Sequence, residues 1–301
     1  MKILISGSSG FVGSALINSL RADGYSIARL VRSGSPSQSG PAAENIRWEP
    51  PTGSIDLAGM EGADALVHLA GAPIAEGRWT PARKQILRRS RVDATRHLVA
   101  GLAQLKQKPR VLVAASAIGY YGDRGDETLA ESSAPGNDFL AQICRDWEAE
   151  TAQAEKLGIR TVMLRFGIIL AANGGALKRM LPPFRLGVGG RLGNGRQWMS
   201  WITLDEVMSI IRFAIESDSI RGPLNTVSPN PVTNSEFTSA LASVLHRPAL
   251  FPVPRAILRL ALGEMADALL ASERAVPQNL QSQLYHFRHP ELKEALESVL
   301  R

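Results

Sequence analysis

The sequence contains very little cysteine. Cys144 is the one cysteine among 301 residues, which excludes an intrachain disulfide and is typical of a protein in a reducing compartment. The N-terminus lacks the basic and apolar regions of a signal peptide, and no uncharged apolar run is long enough to cross a bilayer. We therefore expect a cytoplasmic protein without a membrane partner.

The residue patterns of two common kinds of catalytic site are also missing. No group of His, Cys and Asp residues stands at metal-ligand spacing, and no Gly-x-Ser-x-Gly elbow accompanies a Ser-His-Asp order. Cys144 has no evident His and Asn companions, so we interpret it as a buried residue rather than a nucleophile. The sequence predicts neither a metal site nor an acyl-transfer triad.

Basic residues exceed acidic ones, 34 to 28, which gives a formal net charge of +6. The two signs are interspersed through most of the chain, and a basic cluster falls on a long predicted helix over 78–107 without interleaved aromatic residues. This pattern indicates a solvated helix face rather than a nucleic-acid surface. The basic excess also suits a polyanionic cofactor. We expect no nucleic-acid partner.

The opening stretch, MKILISGSSGFVG, organises the chain. An apolar run is followed by Gly7, Gly10 and Gly13, and then by apolar residues at helical spacing. Strand, glycine turn and helix in this order open a dinucleotide-binding βαβ unit, with a purely structural turn as the alternative. Gly7 permits the sharp turn, Gly10 lets a pyrophosphate approach the backbone, and Gly13 lets the helix pack closely on the sheet. The phosphates would bind free N–H groups at the positive end of the helix dipole.

The second predicted strand, 26–32, ends in a basic residue. NAD-preferring sites place Asp or Glu there to bind the ribose 2′-hydroxyl, whereas this sequence has Val31 and Arg32, followed by Ser33. A guanidinium suits the 2′-phosphate of NADP(H) through charge-assisted hydrogen bonds. The sequence therefore predicts NADP(H) over NAD(H), with a solvated arginine at a strand end as the alternative. Residues 34–51, rich in Ser, Pro and Gly, predict a loop with a short strand near 46–48.

Three further buried strands are predicted at 63–71, 110–116 and 158–165, with helical segments between them. This β-α-β alternation predicts an α/β fold with a doubly wound parallel Rossmann sheet. The strand at 63–71 ends in Leu69, Ala70 and Gly71, where small residues would let a ribose or a flat ring lie on the backbone. His68, inside the apolar run, is predicted to be a hydrogen-bonded core histidine.

Several motifs in order, GSSGFVG, LVHLAG, SAIGYYG, MLRFGIIL and WITLDEV, resemble the extended short-chain dehydrogenase/reductase superfamily. More narrowly, the chain resembles the NADP-binding branch labelled epimerase family. That resemblance rests on GRW at 77–79, ICRDWE at 143–148, and a C-terminal series with VTNSEF at 232–237, PVP at 252–254, GEM at 263–265 and FRHP at 287–290. It spans nearly the whole chain.

The resemblance implies a division into two parts. Residues 1–172 plus about 201–228 would form the Rossmann domain, and 173–200 plus about 229–301 a small, mostly helical C-terminal substrate-binding portion. Several glycines in 173–199 are typical of a lid over the nicotinamide end. Pro182, Pro183 and Arg185 are candidate substrate contacts in it, with an ordinary surface loop as the alternative.

The superfamily's catalytic pattern is incomplete here. Its members use a serine and a Tyr-x-x-x-Lys on the following helix, where the lysine and the nicotinamide charge lower the tyrosine pKa. Ser116 matches the serine, but Leu140 and Cys144 stand near the tyrosine and lysine places, and no Tyr or Lys lies between positions 137 and 155. Tyr120 and Tyr121 are candidate replacements, although the tyrosine before Gly122 has a packing role in the superfamily. The candidate catalytic residues are Ser116, Tyr120 and Tyr121.

Two functions remain open from the sequence. The first is an NADP(H)-dependent oxidoreductase or epimerase-like enzyme acting on a small polar substrate. The second is an NADP(H)-binding protein without robust catalysis that controls a partner interaction, as the cell-division-inhibitor label of some relatives implies. The oligomeric state is open, a homodimer included. The candidate cofactor-binding residues are Gly7, Ser9, Gly10, Phe11, Val12, Gly13, Val31, Arg32, Leu69, Ala70, Gly71, Arg91 and Arg165.

Overall fold

The computed structural model describes residues 1–33 and 44–301. The predicted loop over 34–43 lies outside the described residues, whereas the short strand expected near 46–48 is present. The strands are β1 (Lys2–Ser6), β2 (Ser26–Val31), β3 (Glu44–Glu49), β4 (Ser54–Ile55), β5 (Ala65–His68), β6 (Val111–Ala117), β7 (Thr128–Leu129), β8 (Arg160–Phe166), β9 (Ile168–Ala171), β10 (Trp198–Met199), β11 (Trp201–Thr203), β12 (Gly222–Thr226), β13 (Val232–Thr233) and β14 (Arg274–Ala275).

The helices alternate with the strands in the first two thirds of the chain and predominate after it. They are α1 (Phe11–Ala22), α2 (Leu57–Met60), α3 (Pro81–Arg89), α4 (Val92–Ala103), α5 (Phe139–Ala152), α6 (Gly175–Arg185), α7 (Leu204–Glu216), α8 (Asn234–Leu245), α9 (Arg255–Leu262), α10 (Met265–Leu269), α11 (Gln278–Ser282) and α12 (Leu292–Leu300). Short 3₁₀ turns cover Ile118–Tyr120 and Gln153–Leu157. Across the described ranges, no helix is both long and apolar enough to span a membrane.

The main sheet confirms the predicted doubly wound architecture. Within the described residues it has eight strands in the order β12-β8-β6-β5-β1-β2-β3-β4. All neighbouring strands pair in parallel except β3 and β4. The chain runs outward from β1 to β4 and then returns to β5 on the other side of β1. Because the direction of winding changes between β1 and β5, their carboxyl ends form the crevice where such sheets bind ligands.

Both faces of the sheet are buried by helices. The apolar sides of α1 and α7 pack on one face, and α4 covers the other. His68 lies in the middle strand between them with no exposed surface. Its Nδ1 is 2.6 Å from Ser6 Oγ and its Nε2 is 3.0 Å from Thr95 Oγ1. Its burial and its two partners confirm the prediction of a hydrogen-bonded core histidine, and burial lowers the pKa of His68 to about 4.

The prediction of one long helical stretch over 78–107 is wrong, because the stretch is interrupted. The structure has α3 and α4, separated at Ser90 and Arg91. Ser90 Oγ donates to Leu87 O and accepts from Ala72 N. Arg91 also donates to Ala72 O. These side-chain bonds to backbone offer an alternative to a continuous helical ladder, which periodicity alone does not reveal.

The C-terminal portion has a core of its own, built from α6, α8 and α12 around Trp201. The predicted lid segment is therefore not only loop, since α6 occupies residues 175–185 and carries Pro182 and Pro183 exposed in its last turns. Residues beyond 271 also return to the Rossmann part of the chain. There β14 pairs with β7 in a separate two-stranded sheet, and Leu280 enters the hydrophobic core that contains α1 and α7. The proposed domain boundaries stay a prediction.

Candidate functional site

Gly7 makes the turn at the end of β1. Its φ of +70° is a left-handed conformation, and a Cβ there would stand 2.6 Å from the backbone carbon of Leu69. Glycine is the residue that tolerates both conditions. The turn is thereby drawn against the end of β5, so that Leu69 and Ala70 lie directly beside it.

Gly10 and Gly13 have different environments. A Cβ on Gly13 would lie 2.2 Å from Gly7 O. The close approach that Gly13 permits is therefore to the turn, whereas the sequence predicted an approach to the sheet. A Cβ on Gly10 would meet only Gly7 O, at 3.2 Å, and is otherwise open. Gly10 thus leaves an open approach to the backbone at the start of α1.

The start of α1 faces a cleft of about 1030 Å³. Gly10 is the N-cap, and no side chain caps the helix there, so the N–H groups of its first turn face the cleft without an internal acceptor. Ser9 and Phe11 line one side of the cleft, while Val12 packs back toward the core. An open backbone approach and uncapped N–H groups fit the pyrophosphate of a dinucleotide.

The opposite wall of the cleft comes from the segment before and within α6. Gly174 is closely packed, because a Cβ there would lie 2.2 Å from the Phe11 ring. Lys178 and Arg179 line the same wall. Arg179 Nη1 donates to Ala75 O at 2.8 Å and so connects α6 to the loop after β5. The cleft is therefore closed on this side by a helix that carries positive charge.

Two arginines, Arg29 and Arg32, lie at β2, whereas Arg32 alone was singled out from the sequence. Val31 ends β2, and the predicted Arg32 follows it with an exposed side chain. Arg29 was missed by the sequence reasoning. It is 6% exposed, and its Nε donates to Ser8 Oγ in the glycine turn at 3.2 Å. The available signal was an arginine inside an otherwise apolar strand, which is unusual without a specific partner.

Arg91 lies beside the end of β5. A Cβ on Gly71 would be 3.3 Å from Arg91 Cζ, and Arg91 Nη2 donates to Ala72 O at 3.0 Å. Its guanidinium also stands 5.4 Å from the centre of the Trp147 ring. Burial lowers the pKa of Arg91. The structure thus brings Arg91 to the predicted cofactor edge, where it braces the Gly71 loop.

Ser116, at the end of β6, belongs to a buried ionic network. Its Oγ donates to Glu148 Oε1 at 2.6 Å. Arg165 binds the same carboxylate with two nitrogens, at 2.8 and 2.7 Å. Glu148 was not recognised as part of the site by the sequence reasoning, although it closes the ICRDWE motif. The network fixes α5 against β6 and β8.

Arg165 and Tyr121 are enclosed by this network. Arg165 is 2% exposed; burial opposes its charge, but the bonds to Glu148 raise its pKa. Tyr121 is fully buried, donates to Asn225 Oδ1 at 2.6 Å and accepts from Arg165 at 2.9 Å. Burial raises the pKa of Tyr121 to about 12. This placement argues against Arg165 as a cofactor contact and Tyr121 as an acid/base, and it gives both structural roles.

Tyr120 is placed differently from its neighbour. Its half-buried ring lies under Arg165, whose Cζ is 3.5 Å from the ring centre, and among the described residues its hydroxyl has no hydrogen-bond partner. Cys144 is 4% exposed, and burial raises the pKa of its thiol to about 12. The interpretation of Cys144 as a buried residue is confirmed. In residues 1–33 and 44–301 there is also no group of three or more His, Cys, Asp or Glu suited to a metal ion.

Comparison with known proteins places this site in a family. Residues 3–225 match the model of the NAD dependent epimerase/dehydratase family, and residues 253–299 match a model described as a domain of unknown function, DUF1731. An epimerase family protein of Mycobacterium bovis is 42% identical over 98% of this chain and 96% of its own length. A chloroplastic epimerase family protein of Arabidopsis thaliana is 35% identical over 100% of this chain and 87% of its own.

A solved structure agrees with these relatives. The crystal structure of the human epimerase family protein SDR39U1 with NADPH shares 31% identity and a TM-score of 0.88 with this chain, over 99% of both chains. The agreement extends from the glycine turn to the last helix. By sequence and by fold, the chain belongs to the NAD dependent epimerase/dehydratase family, an NAD(P)-binding family within the extended short-chain dehydrogenases/reductases.

Proposed function

We propose that this chain is an NADP(H)-dependent oxidoreductase or epimerase-like enzyme that acts on a small polar substrate without the usual Tyr-x-x-x-Lys pair. The proposal rests on the start of α1. There the uncapped N–H groups of the first turn and the open side of Gly10 face the cleft, where they can bind phosphate. The human relative solved with NADPH supports the choice of cofactor.

Several of the chain's own groups would hold the cofactor. The first-turn N–H groups of α1 would bind the pyrophosphate, and Lys178 and Arg179 would face it across the cleft. Arg32, which follows β2 and lies within the electrostatic influence of Glu49 on the neighbouring strand β3, would bind the 2′-phosphate. Arg29 would hold the glycine turn through Ser8. The bound nicotinamide would supply or accept a hydride at the carboxyl edge of the sheet.

The substrate would lie near Ser116 and Tyr120. Because Ser116 donates its hydroxyl proton to Glu148, its oxygen is available as an acceptor for a substrate hydroxyl. The Tyr120 hydroxyl, unpaired within the described ranges, is free to bind substrate. The proposal includes a small-molecule substrate, a cytoplasmic location and no nucleic-acid partner.

Fluorescence titration with NADPH and NADH tests the cofactor. Arg32→Ala should weaken NADPH binding at least tenfold, because each charge-assisted hydrogen bond contributes about 1.5–3 kcal/mol. NADH binding should change little, since NADH has no 2′-phosphate. Arg221→Ala is the matched control, because Arg221 is an exposed arginine just before β12, at the opposite edge of the sheet. Equal affinities of wild type for both nucleotides would contradict the NADP(H) preference, and binding of neither would contradict the cofactor site.

A second function is favoured by a specific observation. Leu140 and Cys144 stand near the places of the catalytic tyrosine and lysine, and the Ser116 hydroxyl donates its proton to Glu148. These features suit an NADP(H)-binding regulatory protein. That function predicts NADPH-dependent capture of a partner with no NADPH oxidation across a panel of small carbonyl compounds. Steady oxidation with any of them would favour the enzyme.

A further inference from the structure

Glu273 lies on a segment, residues 272–275, that is held in place by several hydrogen bonds. Its N–H donates to Trp198 O at 3.2 Å, and its carbonyl oxygen accepts from Ser200 Oγ at 2.8 Å. On either side, Ser272 N donates to Asp123 Oδ1 at 3.1 Å, and β14 begins at Arg274 and pairs with β7. The backbone of Glu273 is therefore fixed by three separate parts of the chain.

The carboxyl group of Glu273 reaches the place where the family tyrosine is missing. A Cβ built on Gly119 would lie 3.5 Å from Leu140 Cβ and 3.9 Å from Glu273 Oε1. Leu140 stands near the place where the superfamily carries its tyrosine, and Gly119 follows Ser116 by three residues. Glu273 thus approaches, from the C-terminal region, the point at which the superfamily's acid/base normally acts.

Within the described part of the chain, the charged groups that act on Glu273 are acids, without a compensating base. The charges of Asp138, at the N-cap of α5, and of Asp123 both act on Glu273, and Cys144 lies within its electrostatic influence. The neighbouring Arg274 is turned onto the Trp198 ring, 4.2 Å from its centre. Among the described residues no side chain donates a hydrogen bond to the Glu273 carboxyl. Burial, followed by the charges of Asp138 and Asp123, raises the pKa of Glu273 from 4.5 to about 8.

We propose that Glu273 is the acid/base of this site, replacing the absent tyrosine by a carboxyl group delivered from the C-terminal region. The proposal rests on the function proposed above. When a substrate carbonyl is reduced, the nicotinamide hydride adds to the carbon and the π electron pair passes to the oxygen. The Glu273 carboxyl gives that oxygen its proton and becomes a carboxylate, which takes a proton back from water. In the oxidative direction the carboxylate accepts the hydroxyl proton.

The position of Glu273 is tested by infrared titration of the protonated-carboxyl band, with the Glu273→Gln spectrum subtracted. The band should disappear with a midpoint near the raised pKa when NADPH is bound. With NADP⁺ the midpoint should fall by about one pH unit or more, because the positive nicotinamide favours a nearby carboxylate. Fluorescence titration of the same samples reports whether each nucleotide binds.

The outcomes separate the two proposals. If both nucleotides bind and the midpoint is the same with each, Glu273 is not beside the nicotinamide and its assignment is overturned, while the cofactor function stands. If neither nucleotide binds, the proposed function fails and the assignment fails with it. A midpoint in the range of an ordinary glutamate would also overturn the assignment.

Turnover gives an independent measurement. With NADPH and diacetyl as the probe, Glu273→Gln should lose about 100-fold or more in rate, the typical effect of removing a general acid. Its NADPH affinity should equal that of wild type. Glu294→Gln is the matched control, since Glu294 is an exposed glutamate on α12. A Glu273→Gln rate equal to that of the control would contradict the assignment.

Discussion

The glycine turn and the β6–α5 edge lie at the same carboxyl edge of one sheet, yet they are built by different means. The turn is made by backbone: Gly7 in a left-handed conformation, Gly13 in close contact with Gly7, and an uncapped helix start. The β6–α5 edge is made by side chains, with Glu148 binding both Ser116 and Arg165. A backbone turn of this kind requires glycine at particular positions, and these glycines are visible in the sequence. A side-chain network can be formed by many different residue types.

This difference explains why one region keeps the family pattern and the other does not. A turn that needs a positive φ and the absence of a Cβ has few solutions. A proton donor needs only a suitable pKa and position. The edge can therefore lack the Tyr-x-x-x-Lys pair on α5 while a carboxyl group from elsewhere in the chain stands nearby.

The largest effect is expected from Glu148→Gln. Removing this charge leaves Arg165, 2% exposed, without its counter-ion, and breaking a buried ion pair costs about 3–5 kcal/mol of unfolding free energy. Urea denaturation measures the loss. Glu150→Gln, on the same helix, breaks the more exposed Glu150–Arg96 pair and should cost only about 0–1 kcal/mol. Similar losses for the two variants would show that the network does not hold the β6–α5 edge together.

An intermediate effect is expected at the glycine turn, where two substitutions should separate folding from binding. Gly13→Ala places a Cβ 2.2 Å from Gly7 O, and such overpacking costs about 1–3 kcal/mol. Gly10→Ala places its Cβ at a milder 3.2 Å from Gly7 O, so it should destabilise the fold less than Gly13→Ala does, while its NADPH affinity falls. Thermal melting and fluorescence titration of both variants check this. If Gly10→Ala binds NADPH as wild type does, the phosphate does not approach the backbone there.

The same contrast describes what could be predicted from the sequence. The parallel sheet, the glycine turn and the core role of His68 follow from periodicity, glycine spacing and an apolar environment, which are local signals. The break between α3 and α4 depends on Ser90 and Arg91 reaching the Ala72 loop, a contact across 18 residues or more. Glu148 and Glu273 are brought to the site by tertiary contacts between residues that are far apart in sequence. The residues next to them in the sequence therefore do not indicate their role.

The smallest effect should come from Tyr121→Phe, and it tests whether adjacent tyrosines have separate roles. The Tyr121 hydroxyl donates a hydrogen bond to Asn225 in the buried network. Removing this hydroxyl should therefore cost about 0.5–1.5 kcal/mol of unfolding free energy and leave the NADPH affinity unchanged. Tyr120→Phe removes a hydroxyl that has no partner within the described residues, so its stability should match wild type. Any change in Tyr120→Phe should therefore appear in NADPH oxidation with diacetyl. If Tyr121→Phe leaves stability intact but slows oxidation, then the reacting groups extend into the buried network, and the division between a structural and a catalytic tyrosine does not hold.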